Sequence, residues 1–267
     1  MRFRPKSEAT PFRNFFRKYS DDWRKHKEGL GRKEFLRDHG KRHRSVGAIE
    51  TRFDGIEGHL IELIAQSDVA LGAIAWLTNE RLLDALAQLK RASFVVQKED
   101  FLRPDLTDEN KQHFSRRLRR QYDQLRPLSS NDFLDCYPGS QEGMPGHNYS
   151  VENWLIAADG QYIQTDDAVR CIGFQRNQSK LSVPTMHHKF AVFGIYRPDV
   201  IILPTCVVTG SFNWSANAQV SRENIVTIFD KRVCNDYVSE WAQLWALSEE
   251  LDWSQETPRF PSHYIGT

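Results

Sequence analysis

Three short blocks of the sequence hold side chains that could cleave a phosphodiester. They are Thr185-Met-His-His-Lys-Phe-Ala-Val-Phe193, Gly210-Ser-Phe-Asn-Trp-Ser215 and Arg222-Glu-Asn-Ile-Val226, and they lie within about forty residues. An imidazole beside an ammonium group offers a nucleophile for phosphorus and a cation for the phosphate oxygens. The later blocks add hydroxyl, amide and carboxylate groups. This set predicts a phosphodiesterase site that needs no metal.

The first block distinguishes its two histidines. Side chains alternate between the faces of a strand, so His187 and Lys189 share a face while His188 points to the other. We therefore predict that His187 is the nucleophile. Another His and Lys at the same spacing, His39-Gly-Lys41, lie in a polar run after which we predict no strand.

The second and third blocks supply groups for the same phosphate. Gly210 allows a tight turn, after which Ser211 and Asn213 can present a hydroxyl and an amide. Glu223 can accept the distal N–H of His187 and stabilise the imidazolium. Taken singly, such a turn is commonly a helix entry and such a Glu is commonly a solvated residue. Their order and spacing favour a site.

Apolar runs of strand length alternate with amphipathic stretches and predict an α/β domain. Residues 69–76 form a continuous apolar run, residues 79–92 have helical periodicity, and residues 92–97 are again apolar, which predicts a parallel strand–helix–strand unit. Further strands are predicted at residues 168–173, 189–193, 205–209 and 224–229, and helices at about 111–126 and 235–248.

Charge divides the chain into a basic arm and an acidic body. Residues 1–46 hold fifteen Lys and Arg against six Asp and Glu, so the arm carries +9 and the remainder −8. A polyanion is the natural partner of such an arm, although a solvated helical extension fits it equally well. We divide the rest into a catalytic domain at 47–248, with a loop-rich insertion at about 101–165, and a C-terminal tail at 249–267.

Composition bounds the class of protein. The chain has 267 residues, 40% of them hydrophobic, which is enough for one good-sized core. The four cysteines lie far apart without a CxxC pair, which argues against a zinc site and a disulfide framework. The start lacks an apolar signal region, and the longest apolar run is too short to span a bilayer. We expect a cytoplasmic protein without a transmembrane segment.

The blocks resemble the phospholipase D superfamily, whose signature is HxKxxxxD followed by GSxN. The resemblance covers most of residues 50–248 and is greatest to the bacterial single-motif nucleases and their mitochondrial cardiolipin-cleaving relative. It implies an α-β-α sandwich with a mixed, largely parallel central sheet flanked by helices.

The resemblance also implies roles for the site residues. His187 would form a covalent phosphohistidine, Lys189 and Asn213 would bind phosphate oxygens, Ser211 would support them, and Glu223 would orient His187. A second copy of the motif normally protonates the leaving oxygen, and this chain has only one copy. A homodimer is therefore implied, with His187 of both chains in one site. Neither a metal nor an organic cofactor is implied.

One position departs from the signature. Gly194 stands where the family has Asp, and Asp199 is nearby at the wrong spacing. In the family that Asp is generally taken as structural support, so we expect activity to survive the change.

Three functions remain open at the level of sequence. The first is an endonuclease of low sequence specificity that acts on DNA or RNA, alone or in a larger defence or repair complex. The second is a phospholipase D or cardiolipin hydrolase, and the third is a catalytically weak nucleic-acid-binding subunit. Additional candidate substrate-binding residues are Gly210, Ser215, Arg116, Arg117, Arg119 and Arg120.

Overall fold

A computed structural model describes residues 43–107, 109–128, 167–175, 185–197 and 201–257. Residues 1–42 of the basic arm, most of the insertion and the end of the tail lie outside the described residues.

The described chain forms one eight-stranded sheet and four α-helices. The strands are β1 (His43–Val46), β2 (Ile49–Arg52), β3 (Val69–Ile74), β4 (Arg91–Gln97), β5 (Val169–Ile172), β6 (Lys189–Arg197), β7 (Ile201–Gly210) and β8 (Ile225–Ile228). The helices are α1 (Ile56–Ala65), α2 (Glu80–Leu86), α3 (Glu109–Tyr122) and α4 (Lys231–Leu247). Two short 3₁₀ helices cover Asp100–Leu102 and Ala218–Val220. Across the sheet the strand order is β1-β2-β8-β7-β6-β3-β4-β5.

The sheet is mixed, as predicted, but the prediction that it is largely parallel is wrong. Only β3–β4 and β4–β5 pair in parallel, and the other five pairings are antiparallel. The parallel unit is the one the sequence predicted, in which α2 lies between β3 and β4. Short connections join β1 to β2 and β6 to β7, and connections of that length allow only antiparallel pairing.

Helices cover both faces of the sheet, which confirms the predicted layers. On one face, the even-numbered residues of β3 and β4, such as Ile74 and Phe94, form a core with α1, α2 and Trp214. On the other face, Leu71 and Val95 form a second core with α4. The strands alternate between these two cores, so nearly every strand residue at the sheet centre is buried.

Pairing in the sheet continues past both ends of the predicted catalytic domain. The β1–β2 hairpin begins at His43, so residues 43–46 of the basic arm belong to the sheet. At the other end, the first tail residues extend the β5 edge, because Cys171 and Glu249 exchange backbone hydrogen bonds of 2.9 and 2.8 Å. The buried Lys98 ammonium holds this segment through Glu249, at 2.5 Å. None of the helices in the described ranges is long and apolar enough to cross a bilayer.

Candidate active site

The sheet brings the three sequence blocks together along one of its edges, the one formed by the ends of its strands. The end of β3 lies beside the start of β6, because Ile74 pairs with Lys189 in antiparallel register. The end of β7 lies beside the start of β8, because Gly210 pairs with Ile225. Phe190 pairs with Thr209 and joins the two halves. Residues from widely separated parts of the chain therefore form a single row at this edge.

The two adjacent histidines have different surroundings. His188 Nε2 lies 3.1 Å from Glu240 Oε1 on α4, and the His188 ring packs against Phe190. Lys189 points to the other face of the sheet, because its pairing partner Ile74 belongs to the core under α1 and α2. His187 is exposed at the sheet edge, and its carbonyl oxygen accepts a 2.8 Å hydrogen bond from Lys189 Nζ. The structure thus separates His188 from Lys189, as the alternation predicted.

Lys189 is a half-buried cation next to a carboxylate. Burial lowers the pKa of its ammonium group, and the nearby Glu223 carboxylate opposes that effect. Glu223 in turn accepts a short hydrogen bond from the Ser211 hydroxyl. Lys189, Ser211 and Glu223 therefore share one cluster. The proposed role of Glu223 in orienting His187 remains a prediction.

Backbone hydrogen bonds hold Ser211 against Asn224. The Ser211 amide donates to the backbone oxygen and to Oδ1 of Asn224, both at 3.1 Å, and the Asn224 amide donates to Ser211 Oγ at 3.0 Å. Gly210 makes this approach possible. A Cβ at Gly210 would overlap the Asn224 carbonyl oxygen and lie 2.9 Å from Ile225 Cα. The glycine of the block is therefore required by the close contact of β7 with β8.

Trp214 fixes the position of Asn213. The Trp214 indole is buried against Phe94 and Phe193, with centroids 6.0 and 6.3 Å away. Its carbonyl oxygen accepts hydrogen bonds from the amides of Thr78, at 2.7 Å, and Asn79, at 2.8 Å. Within the described residues, Asn213 Oδ1 is buried without a hydrogen-bond partner. This oxygen can only accept a hydrogen bond, so a phosphate oxygen would have to be bound by the Nδ2 donor of Asn213, and that contact remains a prediction.

Ser215 lies at the exit of the same loop. Its amide donates to the Asn213 carbonyl oxygen at 2.7 Å, and its hydroxyl accepts from the Ala218 amide at 3.4 Å. Ser215 thus shapes the turn after Asn213, and a contact with substrate remains a prediction.

Gln97 is a buried side chain beside the site that the sequence did not indicate. Its side chain is fully buried at the end of β4, where Oε1 accepts a 2.6 Å hydrogen bond from the Met186 amide. Its Nε2 donates to the carbonyl oxygens of Phe174, at 2.6 Å, and Lys98, at 3.1 Å. The only sequence signal was a polar residue ending an apolar strand. Because Met186 precedes His187, the hydrogen bond between Gln97 Oε1 and the Met186 amide fixes the backbone directly before His187.

Glu57 holds the far side of the GSFNWS loop. Its carboxylate accepts a 2.8 Å hydrogen bond from Asn79 Nδ2 and short hydrogen bonds from Arg81 and Gln219. Gln219 lies in the 3₁₀ helix that follows the loop, and Asn79 caps α2 by accepting from the Leu82 amide. Glu57 therefore links α1, α2 and the loop.

The four candidate arginines of α3 lie in different surroundings. Arg117 forms an ion pair with Glu80 at 2.6 Å, and Arg119 forms one with Asp252 at 2.9 Å, next to the C-terminal segment. Arg116 bonds to Gln112 on its own helix, and Arg120 is exposed. Their contact with substrate remains a prediction.

The backbone leaves no space for a side chain at Gly194. A Cβ there would lie 2.6 Å from the Leu203 carbonyl oxygen and 2.6 Å from Ile202 Cγ1, at a register shift between β6 and β7. Gly194 is five residues from Lys189, which is about 16 Å along the strand. The departure from the signature is therefore a local packing change, remote from the site row.

The described cysteines are buried free thiols. Burial raises the pKa of Cys206 to about 12 and also raises the pKa values of Cys171 and Cys234. These thiols are thus unsuited to act as nucleophiles. In the part of the chain that the structure describes, no group of three or more His, Cys, Asp and Glu residues is arranged to hold a metal.

The chain is similar to known proteins in sequence and in structure. No family model matches the chain. An uncharacterized protein of Acanthamoeba polyphaga mimivirus is 29% identical over 213 residues, which cover 80% of this chain and 70% of that protein. The mitochondrial cardiolipin hydrolase of Xenopus tropicalis is 41% identical over 61 residues, which are 22% of this chain and a quarter (25%) of that protein.

Two solved structures are also similar. NucT from Helicobacter pylori has a TM-score of 0.40 at 13% identity, covering 75% of this chain and 96% of its own. Nuc from Salmonella typhimurium, described as a phospholipase D family member, has a TM-score of 0.38 at 13% identity, covering 75% and 95%. The described chain is an α/β protein, as its sequence pattern predicted, and the solved structures to which it is similar include one described as a phospholipase D family member.

Proposed function

We propose that the protein is a metal-independent phosphodiesterase, and specifically an endonuclease of low sequence specificity that cleaves DNA or RNA. The observation that carries this proposal is the cluster at the sheet edge, where Lys189, Ser211 and Glu223 interact beside His187. A cation and hydrogen-bond donors that are already in place stabilise a phosphorane-like transition state without reorganisation.

The cluster supports a two-step reaction. In the first step a nitrogen of His187 attacks phosphorus, so that a P–N bond forms and the P–O bond to the leaving strand breaks. A second imidazole gives its proton to the leaving oxygen. In the second step that imidazole takes a proton from water, the hydroxide attacks phosphorus, and the P–N bond breaks. Lys189 and Asn213 hold the phosphate oxygens throughout.

The second imidazole is proposed to come from a second copy of the chain. One HxK motif followed by GSxN occurs in the sequence, so a shared site needs two subunits. The exposed position of His187 at the edge of the sheet is compatible with an approach of its counterpart across a twofold axis. We therefore propose a homodimer as the active form.

Nucleic acid is the substrate that the charge distribution favours. The arm at residues 1–46 carries +9, and such a segment attracts a phosphate backbone without regard to sequence. Lys and Arg contacts of this kind release counterions, so binding should weaken steeply as salt is added.

A phospholipase is the second candidate. The identity of 41% with a cardiolipin hydrolase over 61 residues favours it, because the same site residues would serve a lipid phosphodiester. The two candidates share the covalent step and differ only in what surrounds the phosphate.

Cleavage in excess EDTA tests the proposal. The wild-type protein should nick plasmid and degrade oligonucleotides in EDTA, and acid-labile phosphate should be trapped on His187. His187→Ala should abolish both signals, whereas the matched variant His188→Ala should retain most activity because His188 contacts Glu240. Loss of cleavage in EDTA would refute the metal-free reaction. Turnover of cardiolipin alone would establish the second candidate, and an active monomer in light scattering would refute the shared site.

A further inference from the structure

Two aromatic side chains lie in the same row of strand ends as the candidate site. Phe53 directly follows β2 and is 45% exposed. Trp76 is half-buried and comes two residues after β3. The proposed reaction uses neither residue.

The two rings lie on opposite sides of the phosphate-binding residues. Trp76 is next to Ala75, whose amide donates a 2.9 Å hydrogen bond to the His188 carbonyl oxygen, so Trp76 is one strand away from Lys189. Phe53 is next to Arg52, which pairs with Ile225 on β8, so Phe53 is two strands away from Gly210. At a strand spacing of about 4.8 Å, the backbone at Trp76 is roughly 5 Å from the strand of Lys189, and the backbone at Phe53 is roughly 10 Å from the strand of Gly210.

The indole of Trp76 is held by its polar edge. Its Nε1 donates a 3.0 Å hydrogen bond to Glu99 Oε1, just beyond the end of β4. The only polar atom of the ring is therefore satisfied by the protein, and the ring offers a ligand its apolar surface. A ring that is already fixed loses little conformational entropy when a ligand stacks on it.

We propose that Trp76 and Phe53 form two aromatic subsites that stack on bases flanking the scissile phosphate. This inference rests on the proposed nuclease function and identifies the bound form as an unpaired segment. A base inside a duplex has its faces covered by its neighbours, whereas an unpaired base can stack on an aromatic side chain. Base stacking is tolerant of sequence, which agrees with the absence of a groove-reading motif.

Carboxylates lie close to both rings. Glu99 bonds to the Trp76 ring and is followed by Asp100, and Asp54 follows Phe53. These carboxylates repel the phosphates of lipids and of nucleic acids alike, so the rings are suited to contact the uncharged face of a base rather than a phosphate.

Abasic substrates test the subsites directly. Cleavage and binding are measured on a thymidine 20-mer and on an abasic 20-mer of equal charge, the latter offering phosphates without bases. Trp76→Ala and Phe53→Ala should each raise KM for the thymidine strand about tenfold, within a range of roughly 5- to 150-fold, and leave KM for the abasic strand unchanged. Trp76→Phe should retain most of the affinity, since a ring remains.

Phe229→Ala provides the matched control. Phe229 is 40% exposed but follows the opposite end of β8, away from Glu223. Its replacement by Ala should therefore leave KM unchanged for both 20-mers. Thermal melting and light scattering of every variant identify effects on folding or dimerisation.

Each remaining outcome decides the question. Equal effects of Trp76→Ala on both strands, or conversion of the variant to a monomer, would overturn the stacking role. Loss of binding to cardiolipin vesicles with unchanged oligonucleotide KM would assign the rings to a lipid surface and overturn it too. If no strand is cleaved, the nuclease proposal fails. Fluorescence anisotropy on the two 20-mers then still supports the subsites if thymidine binds more tightly through Trp76, and overturns them if it does not.

Discussion

Introducing the family's Asp at Gly194 should damage the protein rather than improve it. The Cβ of any residue at 194 would lie 2.6 Å from the Leu203 carbonyl oxygen, well inside van der Waals contact, and also 2.6 Å from Ile202 Cγ1. The oxygen belongs to the backbone of β7, so it cannot move without disturbing the ladder between β6 and β7.

The expected loss of stability follows from these contacts. Overpacking of a buried site costs about 1–3 kcal/mol, so Gly194→Ala should lower the free energy of unfolding by that amount. Gly194→Asp also places a carboxylate next to a carbonyl oxygen without a donor, which adds about 1–3 kcal/mol. This loss is a large fraction of a typical domain stability of about 5–15 kcal/mol.

Urea denaturation of the wild type, Gly194→Ala and Gly194→Asp measures the effect. Gly58→Ala is the matched control, because a Cβ at that position on α1 meets nothing within 4 Å. It should stabilise the helix by about 0.5–1 kcal/mol. Specific activity per folded molecule should stay near the wild-type value, since Gly194 is about 16 Å from Lys189. A Gly194→Asp variant that is more stable or more active than the wild type would refute the reasoning.

Three further predictions concern the residues that shape the site. Gln97→Leu leaves the Met186 amide and the Phe174 carbonyl oxygen unpaired, so the free energy of unfolding from urea titration should fall by about 2–6 kcal/mol. The kcat of the variant should also fall. An unchanged kcat in the folded variant would exclude a positioning role for Gln97. Gly210→Ala should prevent β7 from closing against β8, which near-UV circular dichroism and loss of activity would report, and a soluble, active variant would contradict the contact. Burial lowers the pKa of Lys189 below its ordinary 10.5, so activity should decline with rising pH before an ordinary lysine deprotonates. Lys189→Arg should move that decline to higher pH in the pH–rate profile. If the substitution leaves the decline unchanged, another group is responsible for it.

Periodicity in the sequence was sufficient to predict the layers of the fold but not the direction of its strands. A short buried strand is apolar on both faces whether its neighbour is parallel or antiparallel, so residues 189–193 and 205–209 gave no indication of direction. Similarly, the hairpin at 43–52 has four residues in each strand and little apolar content, and nothing in its pattern distinguished it from the basic arm.

Some residues of the site could be predicted from local sequence pattern, and others could not. Alternation along a strand placed His188 and Lys189 on different faces, because that rule depends only on local geometry. Gln97 and Glu57 act through partners that lie far away in the sequence, and their importance depends on burial and tertiary contacts. Such residues look like ordinary surface side chains until the fold is known.

The order of strands across the sheet also constrains when the protein can become active during synthesis. Of the strands in the described ranges, β8 is the last to leave the ribosome, and it fills the gap between β7 and the early hairpin strand β2. A chain that ends before residue 223 lacks the carboxylate beside Lys189, and its sheet is split where β8 should lie. Pairings this distant in sequence form slowly, after the local units have folded. Chains that stop before β8 are thus expected to lack the proposed activity.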